Sequence, residues 1–177
     1  MSPLARYRSI GFAIAAAIFV IDQALKWLVD DHLQMRLGQT IELVHFFDFP
    51  RVHNYGVSLG MFQADSMEMR WILVGVTALI AGVVAVWMLR EKALGDILGL
   101  SLILGGALGN IVDRWQLGYV LDYADFHIGE FRPFLIFNLA DAAITVGVVI
   151  ILARTFLVRD KDGRDTDPSG QSAGESA

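Results

Sequence analysis

The stretch WILVGVTALIAGVVAVWML runs from Trp71 to Leu89 without a charged side chain. An α-helix needs about 20 apolar residues to cross the hydrocarbon core of a bilayer, so this stretch has the length of a membrane-spanning helix. Three further segments have comparable length and apolarity, namely Ile10–Val29, Ala93–Val112 and Phe134–Ala153. The sequence therefore predicts an all-α membrane protein with four transmembrane helices.

The composition of the whole chain agrees with a membrane protein. Of its 177 residues 55% are hydrophobic, and the mean hydropathy is +0.51, which is too apolar for an ordinary soluble domain of this size. The first apolar segment is not a typical cleavable signal peptide. It carries Asp22, Gln23 and Lys26 near its far end, and no small-x-small cleavage site follows it.

Basic residues near the segment ends predict the orientation, because Lys and Arg are enriched on the cytoplasmic side. They precede the first segment, fill the link between the second and third, and follow the fourth, at Arg6, Arg8, Arg90, Lys92, Arg154, Arg159, Lys161 and Arg164. We therefore expect cytoplasmic termini and outward-facing connections at 30–70 and 113–133. The bias is incomplete, since five arginines fall on the outer side: Arg36, Arg51, Arg70, Arg114 and Arg132.

The chain divides into a membrane domain, residues 1–159, and a tail, residues 160–177. The tail is rich in Asp, Gly and Ser without an apolar period, which predicts a disordered cytoplasmic segment. Within the membrane domain, the outer segment 38–66 is β-rich. Its partial alternation over 40–49 predicts a short strand, and the turn signals that follow predict a small outer-face cradle at the membrane surface.

Several classes of function are disfavoured by the composition. There is no cysteine, so disulfides, thiol nucleophiles and cysteine-bound metals are excluded. No basic stripe with interleaved aromatics is present, so we expect no nucleic-acid partner. The four histidines lack metal-ligand spacing, and neither His-Glu-x-x-His nor Gly-x-Ser-x-Gly occurs. We therefore expect no metal and no cofactor, and the hydrolytic chemistry that remains is that of carboxylates alone.

Two aspartates, Asp122 and Asp141, lie in polar motifs beside membrane-length segments. A carboxylate at the centre of a spanning helix costs roughly 2.5–3.5 kcal/mol on insertion scales, so such residues point inward and usually have a function. Two of them on neighbouring segments indicate a pair that shares one proton. From the residues alone, Asp125 is an alternative to Asp122. Asn138 and Asp141 share a helix face at i, i+3, and a buried structural pair is the other interpretation.

Two further polar clusters allow two interpretations each. Asp22 and Lys26 are spaced i, i+4 and predict an ion pair, with Lys26 reaching the interface. Asn110, Asp113 and Arg114 form either a helix-end network, with Arg114 paired to Asp113, or a cluster that holds the loop carrying Asp122. Upstream glycines predict close helix packing, at Gly105, Gly106 and Gly109.

Taken together, these motifs resemble the lipoprotein signal peptidase family, also called signal peptidase II. In chain order they are Asp22-Gln-x-x-Lys26, Asn54-x-Gly56-Val-Ser, Gly109-Asn-x-x-Asp113-Arg114, Val120-x-Asp122-Tyr and Phe137-Asn138-x-Ala140-Asp141. Each motif is weak alone, but five in order on a four-span chain are specific, and the resemblance runs from Asp22 to about Gly147. The sequence departs from the family pattern at three positions, none of which is in the acid pair. Leu25 stands where Ser or Thr is usual, Leu59 where an aromatic residue is common, and Tyr123 where Phe is common.

The resemblance implies an aspartyl endopeptidase of the bacterial inner membrane with catalytic residues Asp122 and Asp141, and it favours Asp122 over Asp125. The supporting residues that it implies are Asp22, Lys26, Asn54, Gly56, Asn110, Asp113, Arg114 and Asn138. The implied substrate is a prolipoprotein whose signal peptide ends at a diacylglyceryl-cysteine, with cleavage just before that cysteine. The expected partners are this substrate and membrane lipid, and the protein is expected to act as a monomer.

Three other functions compete with this interpretation. A small carrier or proton channel predicts polar residues throughout the depth of the spans, whereas here they cluster at the outer ends apart from Asp96. Another class of intramembrane aspartyl protease uses Gly-x-Gly-Asp, and the nearest match, Ala93-Leu-Gly-Asp96, lacks the first glycine and lies on the inner side. A structural subunit explains the helices but not the polar motifs.

Overall fold

The computed structural model describes residues 2–56 and 67–162, with side chains described as far as residue 157. Within this part of the chain four helices are long and apolar enough to cross a membrane, with spans Pro3–His32, Met67–Arg90, Leu94–Gln116 and Leu139–Leu157. The four-helix membrane architecture predicted from the sequence is confirmed.

The first helix, α1, covers Pro3–Trp27 and continues into a π-helical turn, Leu28–His32. The other helices are α2, Met67–Arg90, α3, Leu94–Gln116, and α4, Leu139–Asp162. Ser2 caps α1, because its hydroxyl oxygen accepts a hydrogen bond from the Ala5 amide at 3.2 Å.

The third helix is the centre of the bundle, since α3 packs against all three other helices. Small residues permit this close contact. Gly105 lies against the backbone of Ala15 in α1, and Gly106 lies against the carbonyl of Ala140 in α4, so any side chain at either glycine would collide with its neighbour. The predicted packing role of these glycines is confirmed.

Five short strands meet one end of this bundle: β1, Thr40–Val44, β2, Phe47–Pro50, β3, Val52–Asn54, β4, Val120–Asp122, and β5, Asp125–Phe126. They form two antiparallel sheets, β1-β2-β5 and β3-β4. The strand predicted over 40–49 is a hairpin of two strands, because a turn at His45–Phe46 interrupts it.

The end of the bundle that carries the strands has its own apolar core. Val29, Met35, Leu121, Tyr123 and Ala124 are buried there, and aromatic side chains of β2 pack against them. We call this region the strand end; it contains the last turns of α1 and α3 and the first turns of α2 and α4. We call the other end, where α2 is linked to α3, the opposite end.

The fourth apolar segment does not become helical where the sequence predicts. The prediction begins the helix at Phe134, but α4 begins at Leu139. The reason is non-local: the Phe137 amide donates to the Ala124 carbonyl at 3.0 Å, and the Phe137 carbonyl accepts from the amides of Tyr123 and Ala124. The predicted disordered tail, 160–177, lies outside the described residues apart from its first three residues, which continue α4 to Asp162.

Candidate active site

Asp141 is oriented by the way α4 begins. Asn138 precedes the first helical residue, and its side-chain oxygen accepts a hydrogen bond from the Asp141 amide at 2.9 Å. In return, the backbone amide of Asn138 donates to Oδ2 of Asp141 at 3.3 Å. This reciprocal pair is a capping box built from Asn and Asp, and it fixes the Asp141 side chain against the helix N-terminus. The i, i+3 relation read from the sequence therefore reflects a helix cap.

The remaining amides of the first turn of α4 are satisfied by distant parts of the chain. The Leu139 amide donates to the Tyr123 hydroxyl at 3.0 Å, and the Ala140 amide donates to Oδ1 of Asp22 at 3.1 Å. The first amides of a helix have no partner within it, so these contacts stabilise the helix end. They also hold α4 to α1 and to the segment that carries Asp122.

Asp122 is the last residue of β4 and is 2% exposed. Its Oδ1 accepts a hydrogen bond from Nδ2 of Asn138 at 2.6 Å, and its Oδ2 accepts one from Nδ2 of Asn54 at 3.0 Å. The β3–β4 register explains the second contact. Asn54 lies opposite Val120, so Asn54 and Asp122 are diagonal neighbours on one face of the ribbon.

Asn110 of α3 completes the connection between the two aspartates. Its Nδ2 donates to Oδ1 of Asp141 at 2.8 Å, and its Oδ1 accepts from Nδ2 of Asn138 at 3.3 Å. Since the same Asn138 amide group also donates to Asp122, two asparagines join the two carboxyl groups in one hydrogen-bonded network. The structure therefore brings together the two aspartates that the sequence singled out.

The environment of Asp122 favours its protonated form. Burial, followed by the negative charge of Asp141, raises the pKa of Asp122 to about 7. The hydrogen bonds from Asn54 and Asn138 and the charge of Lys26 oppose this rise but do not cancel it. Asp122 therefore exchanges its proton near neutral pH, which suits an acid or base in catalysis.

A buried ion cluster lies beside the two aspartates. Nζ of Lys26 is 2.7 Å from Oδ2 of Asp22 and 2.8 Å from Oδ2 of Asp113, and all three side chains are buried. The predicted Asp22–Lys26 pair is confirmed. The expectation that Lys26 reaches the interface is wrong, because two carboxylates hold its ammonium group inside. Asp113 also accepts from the Leu121 amide at 3.1 Å, so this cluster holds β4.

Gln23 belongs to the first motif but is not among the site residues that the sequence predicts. Its Nε2 donates to Oδ1 of Asp113 at 2.9 Å and lies 3.4 Å from both Oδ2 of Asp22 and the Gly109 carbonyl. Gln23 thus connects the two carboxylates that flank Lys26. Tyr123 was also missed, and the signal was present: a hydroxyl stands there where the family usually has none.

The position of Arg114 disagrees with one of the two predicted arrangements, the helix-end network in which Arg114 pairs with Asp113. Arg114 does not pair with Asp113 within the described residues. Its guanidinium donates to the Gly56 carbonyl at 2.8 Å and lies 3.5 Å from the Asn110 carbonyl. The Gly56 amide in turn donates to Oδ1 of Asn54 at 3.0 Å. Arg114 therefore holds the turn that orients Asn54 toward Asp122.

Asp125, the alternative to Asp122, takes no part in this network. It lies in β5 opposite Asp48 and forms an ion pair with Arg132 at 2.9 Å. Across residues 2–56 and 67–162, no group of three or more His, Cys, Asp or Glu side chains is placed to hold a metal ion.

Among the described residues, two cavities that border the site are both lined by Asn54, Asp141 and Thr145. The larger has a volume of about 590 Å³, and its walls are mostly the apolar side chains of Pro133–Phe137 and of the first turns of α4. The smaller has a volume of about 260 Å³ and lies among α2, α3 and α4, where Asn110 and Arg114 also reach it. An apolar ligand can thus contact Asp141 from the side of the spanning helices.

All the supporting residues that the resemblance implied lie around the two aspartates, namely Asp22, Lys26, Asn54, Gly56, Asn110, Asp113, Arg114 and Asn138. Fold and site together define a class: a multi-pass membrane protein with a buried polar site at one end of its helix bundle.

The profile of the family described as Signal peptidase (SPase) II matches residues 14–157. The chain belongs to the signal peptidase II family and is therefore a peptidase. The lipoprotein signal peptidase of Sphingopyxis alaskensis is 51% identical over 164 residues, which are 92% of this chain and 95% of that protein. The lipoprotein signal peptidase of Francisella tularensis subsp. novicida is 34% identical over 153 residues, which are 85% of this chain and 93% of that protein.

Solved structures share the fold. A bacterial membrane enzyme determined by the in meso method at 2.3 Å resolution superposes with a TM-score of 0.74 and 26% identity, covering 96% of this chain and 95% of that one. A second bacterial membrane enzyme, determined in the same way at 1.9 Å, gives a TM-score of 0.72 and 27% identity, covering 83% and 92%.

Proposed function

We propose that this peptidase is an aspartic endopeptidase that removes the signal peptide from diacylglyceryl-modified prolipoproteins, cutting just before the lipidated cysteine. One observation carries the proposal. Asp122 and Asp141, from different elements, are joined through Asn138 and Asn110, and Asp141 lines an apolar cavity.

The chemistry follows from two carboxyl groups that share one proton. Two carboxylates held close together cannot both ionise readily, so one stays protonated near neutral pH. The ionised member removes a proton from water, which attacks the scissile carbonyl. The protonated member donates to the carbonyl oxygen and later helps to protonate the leaving amine. The pair titrates as a unit, so these roles belong to the pair.

The asparagines keep the pair oriented before substrate binds. Each carboxyl group is held by amide donors, Asp122 by Asn54 and Asn138, and Asp141 by Asn110 and the Asn138 backbone. Preorganised donors of this kind reduce the reorganisation needed when charge develops in the transition state. Substrate backbone can compete for the same donors, which allows Asn54 to position it.

The apolar walls of the larger cavity support the proposal that the substrate carries a lipid. The relatives from Sphingopyxis alaskensis and Francisella tularensis are lipoprotein signal peptidases. In this chain the larger cavity has apolar walls that include Phe134, Leu135 and Val146, and α4 continues from it as a spanning helix. A diacylglyceryl chain entering from the bilayer would replace lipid contacts with protein contacts there.

The orientation we propose places the strand end on the outer face of the bacterial inner membrane and both termini in the cytoplasm. Arg90 and Lys92 lie at the opposite end, as the enrichment of basic residues on the cytoplasmic side requires. Four of the five arginines at the strand end have local partners within the described residues: Arg51 pairs with Asp30, Arg132 pairs with Asp125, and Arg70 and Arg114 donate to backbone carbonyls. Their positions are thus explained by structural contacts.

A carrier is less well supported. The one polar residue remote from the site that favoured it, Asp96 at the opposite end, forms an ion pair with Arg154 at 2.7 Å. A proton relay requires ionisable groups between this pair and Asp141, but residues 97–109 of α3 and 142–153 of α4 contain none, and the two helices contact each other there through Gly99 and Gly147.

A cleavage assay in detergent micelles tests the substrate. The purified protein receives a diacylglyceryl-modified prolipoprotein and, as a matched control, the same precursor without lipid. We expect cleavage of the lipidated precursor alone, giving a product whose N-terminal residue, by mass spectrometry, is the modified cysteine. Equal cleavage of both precursors would refute the lipid requirement, and cleavage of neither by folded protein would refute the proposed function.

A further inference from the structure

Arg70, in the first turn of α2, binds the end of a different helix. Its Nε donates to the Arg114 carbonyl at 2.7 Å, and its Nη2 donates to the Trp115 carbonyl. The last carbonyls of a helix lack partners within it and attract positive charge, so Arg70 stabilises the C-terminus of α3. The first turn of α2 is itself an unfavourable place for a cation, which indicates that this contact serves α3.

The turn that follows α3 packs on the same guanidinium group. The Gly118 amide donates to the Arg114 carbonyl at 3.2 Å, so that carbonyl is shared between Arg70 and the turn. Gly118 has a φ of +89°, and a Cβ built on it would lie 3.2 Å from Nη1 of Arg70. Two residues later the chain enters β4, which ends at Asp122. Arg70 thus supports the turn that precedes β4 and sets the position of Asp122.

The position of β3, the strand paired with β4, also depends on the contact between Arg70 and the C-terminus of α3. The Arg114 backbone is held by Arg70, and the Arg114 side chain holds the Gly56 carbonyl at 2.8 Å. Gly56 in turn bonds Asn54, whose amide donates to Asp122. Both β3 and β4 are therefore tied to the part of α3 that Arg70 fixes.

We propose that Arg70 is a positioning residue for the acid pair, which holds the C-terminus of α3 so that Arg114 and the turn at Gly118 place Asn54 and Asp122. This inference rests on the proposed peptidase function. It assigns Arg70 no contact with substrate, because its Nε and Nη2 donate to backbone carbonyls of α3 and its Nη1 lies against Gly118.

Steady-state kinetics on the lipidated precursor tests the role. Arg70→Gln removes the charge, and we expect kcat to fall about tenfold to a hundredfold while KM changes less than about threefold, since a misplacement of about 1 Å costs up to about a hundredfold in rate. Arg70→Lys retains the charge and should recover part of the loss. Arg132→Gln is the matched control, because Arg132 binds Asp125 outside the network, and it should retain wild-type kcat.

A second readout does not depend on cleavage. The chain contains no cysteine, so Leu117→Cys, at an exposed position in the turn, accepts a single spin label. We expect Arg70→Gln to increase the mobility of this label, with Arg70→Lys intermediate and Arg132→Gln without effect.

The outcomes separate the two proposals. If the wild type cleaves nothing, the proposed function fails, and the label still reports whether Arg70 orders the end of α3. Unchanged kcat and unchanged label mobility in Arg70→Gln would overturn the inference. So would a rise in KM alone, or failure of both Arg70 variants to fold, because Arg70 would then bind substrate or serve folding.

Discussion

The two ends of the helix bundle both contain ion pairs between helices, but they are built differently. At the strand end, Lys26 is shared between Asp22 and Asp113, and the three side chains are at most 5% exposed. At the opposite end, Arg154 pairs with Asp96 and with no second carboxylate among the described side chains, and these two side chains are 36% and 24% exposed. Both pairs join helices, so the difference lies in burial and in the number of partners.

This difference indicates what each pair contributes. Burying charges is costly, and a buried cluster is retained where it holds other groups in place. Asp113 bonds the Leu121 amide beside Asp122, and Asp22 bonds the Ala140 amide beside Asp141. The Lys26 cluster thus positions both aspartates of the site, whereas the Asp96–Arg154 pair joins α3 to α4 at the other end of the bundle.

Replacing Lys26 by Met should produce the largest loss of stability. It leaves two carboxylates buried without their cation, which costs about 3–5 kcal/mol in the free energy of unfolding. Denaturant titration of the protein in micelles measures this. Adding Asp22→Asn to the Lys26→Met variant removes one of the unpaired charges and should recover part of the loss. A Lys26→Met variant as stable as the wild type would contradict the comparison.

Replacing Asn138 by Ala should have the next largest effect. It removes the cap of α4 and one donor to Asp122, for a combined cost of about 1–3 kcal/mol in the free energy of unfolding, and it should also lower kcat. Asn138→Ser separates the two contributions, because serine can cap the helix but has no amide to donate to Asp122. We expect Asn138→Ser to recover stability and not kcat; recovery of both would show that the Asp122 contact is dispensable.

The pH dependence of cleavage should reflect the protonation of the acid pair at the strand end. The pKa of Asp122 is raised to about 7 by burial and then by the charge of Asp141, so the pair holds its shared proton below that pH and loses it above. We therefore expect kcat/KM to fall as pH rises through about 7, approaching tenfold per pH unit. Rates measured from about pH 5 to about pH 9 in protein that stays folded check this, and a rate still rising at the upper limit would contradict it.

Replacing Arg154 by Met should have the smallest effect. Its partner Asp96 is partly exposed, and exposed pairs contribute less than about 1 kcal/mol. We expect cleavage at the wild-type rate and nearly unchanged denaturant titration. A loss of activity comparable to that of Lys26→Met would show that the opposite end also positions the site.

Features set by local sequence were predictable. The spans follow from runs of apolar residues, and the Asp22–Lys26 pair follows from i, i+4 spacing. The link between Asn138 and Asp141 is also visible in the sequence, which predicts a shared helix face, whereas the structure shows a helix cap. An Asn followed three residues later by an Asp, just before an apolar run, resembles the capping-box signature.

Features set by distant contacts were not predictable. Lys26 is buried because Asp113 provides a second carboxylate for its ammonium group. Arg114 does not pair with Asp113 because its guanidinium donates to the Gly56 carbonyl. Similarly, α4 begins late because the Phe137 backbone pairs with Ala124. In each case the deciding partner is far away in the chain, so the sequence around the residue does not reveal it.

If Asp122 and Asp141 act as one acid pair, cleavage rates of the lipidated precursor by single and double variants should show it. Asp122→Asn and Asp141→Asn should each lose about 10²–10⁴-fold in rate, the double variant should lose little more than either alone, and Asp125→Asn should cleave nearly as the wild type. An Asp141→Asn variant with full activity, or a folded double variant that retains cleavage, would show that the two aspartates are not the catalytic pair.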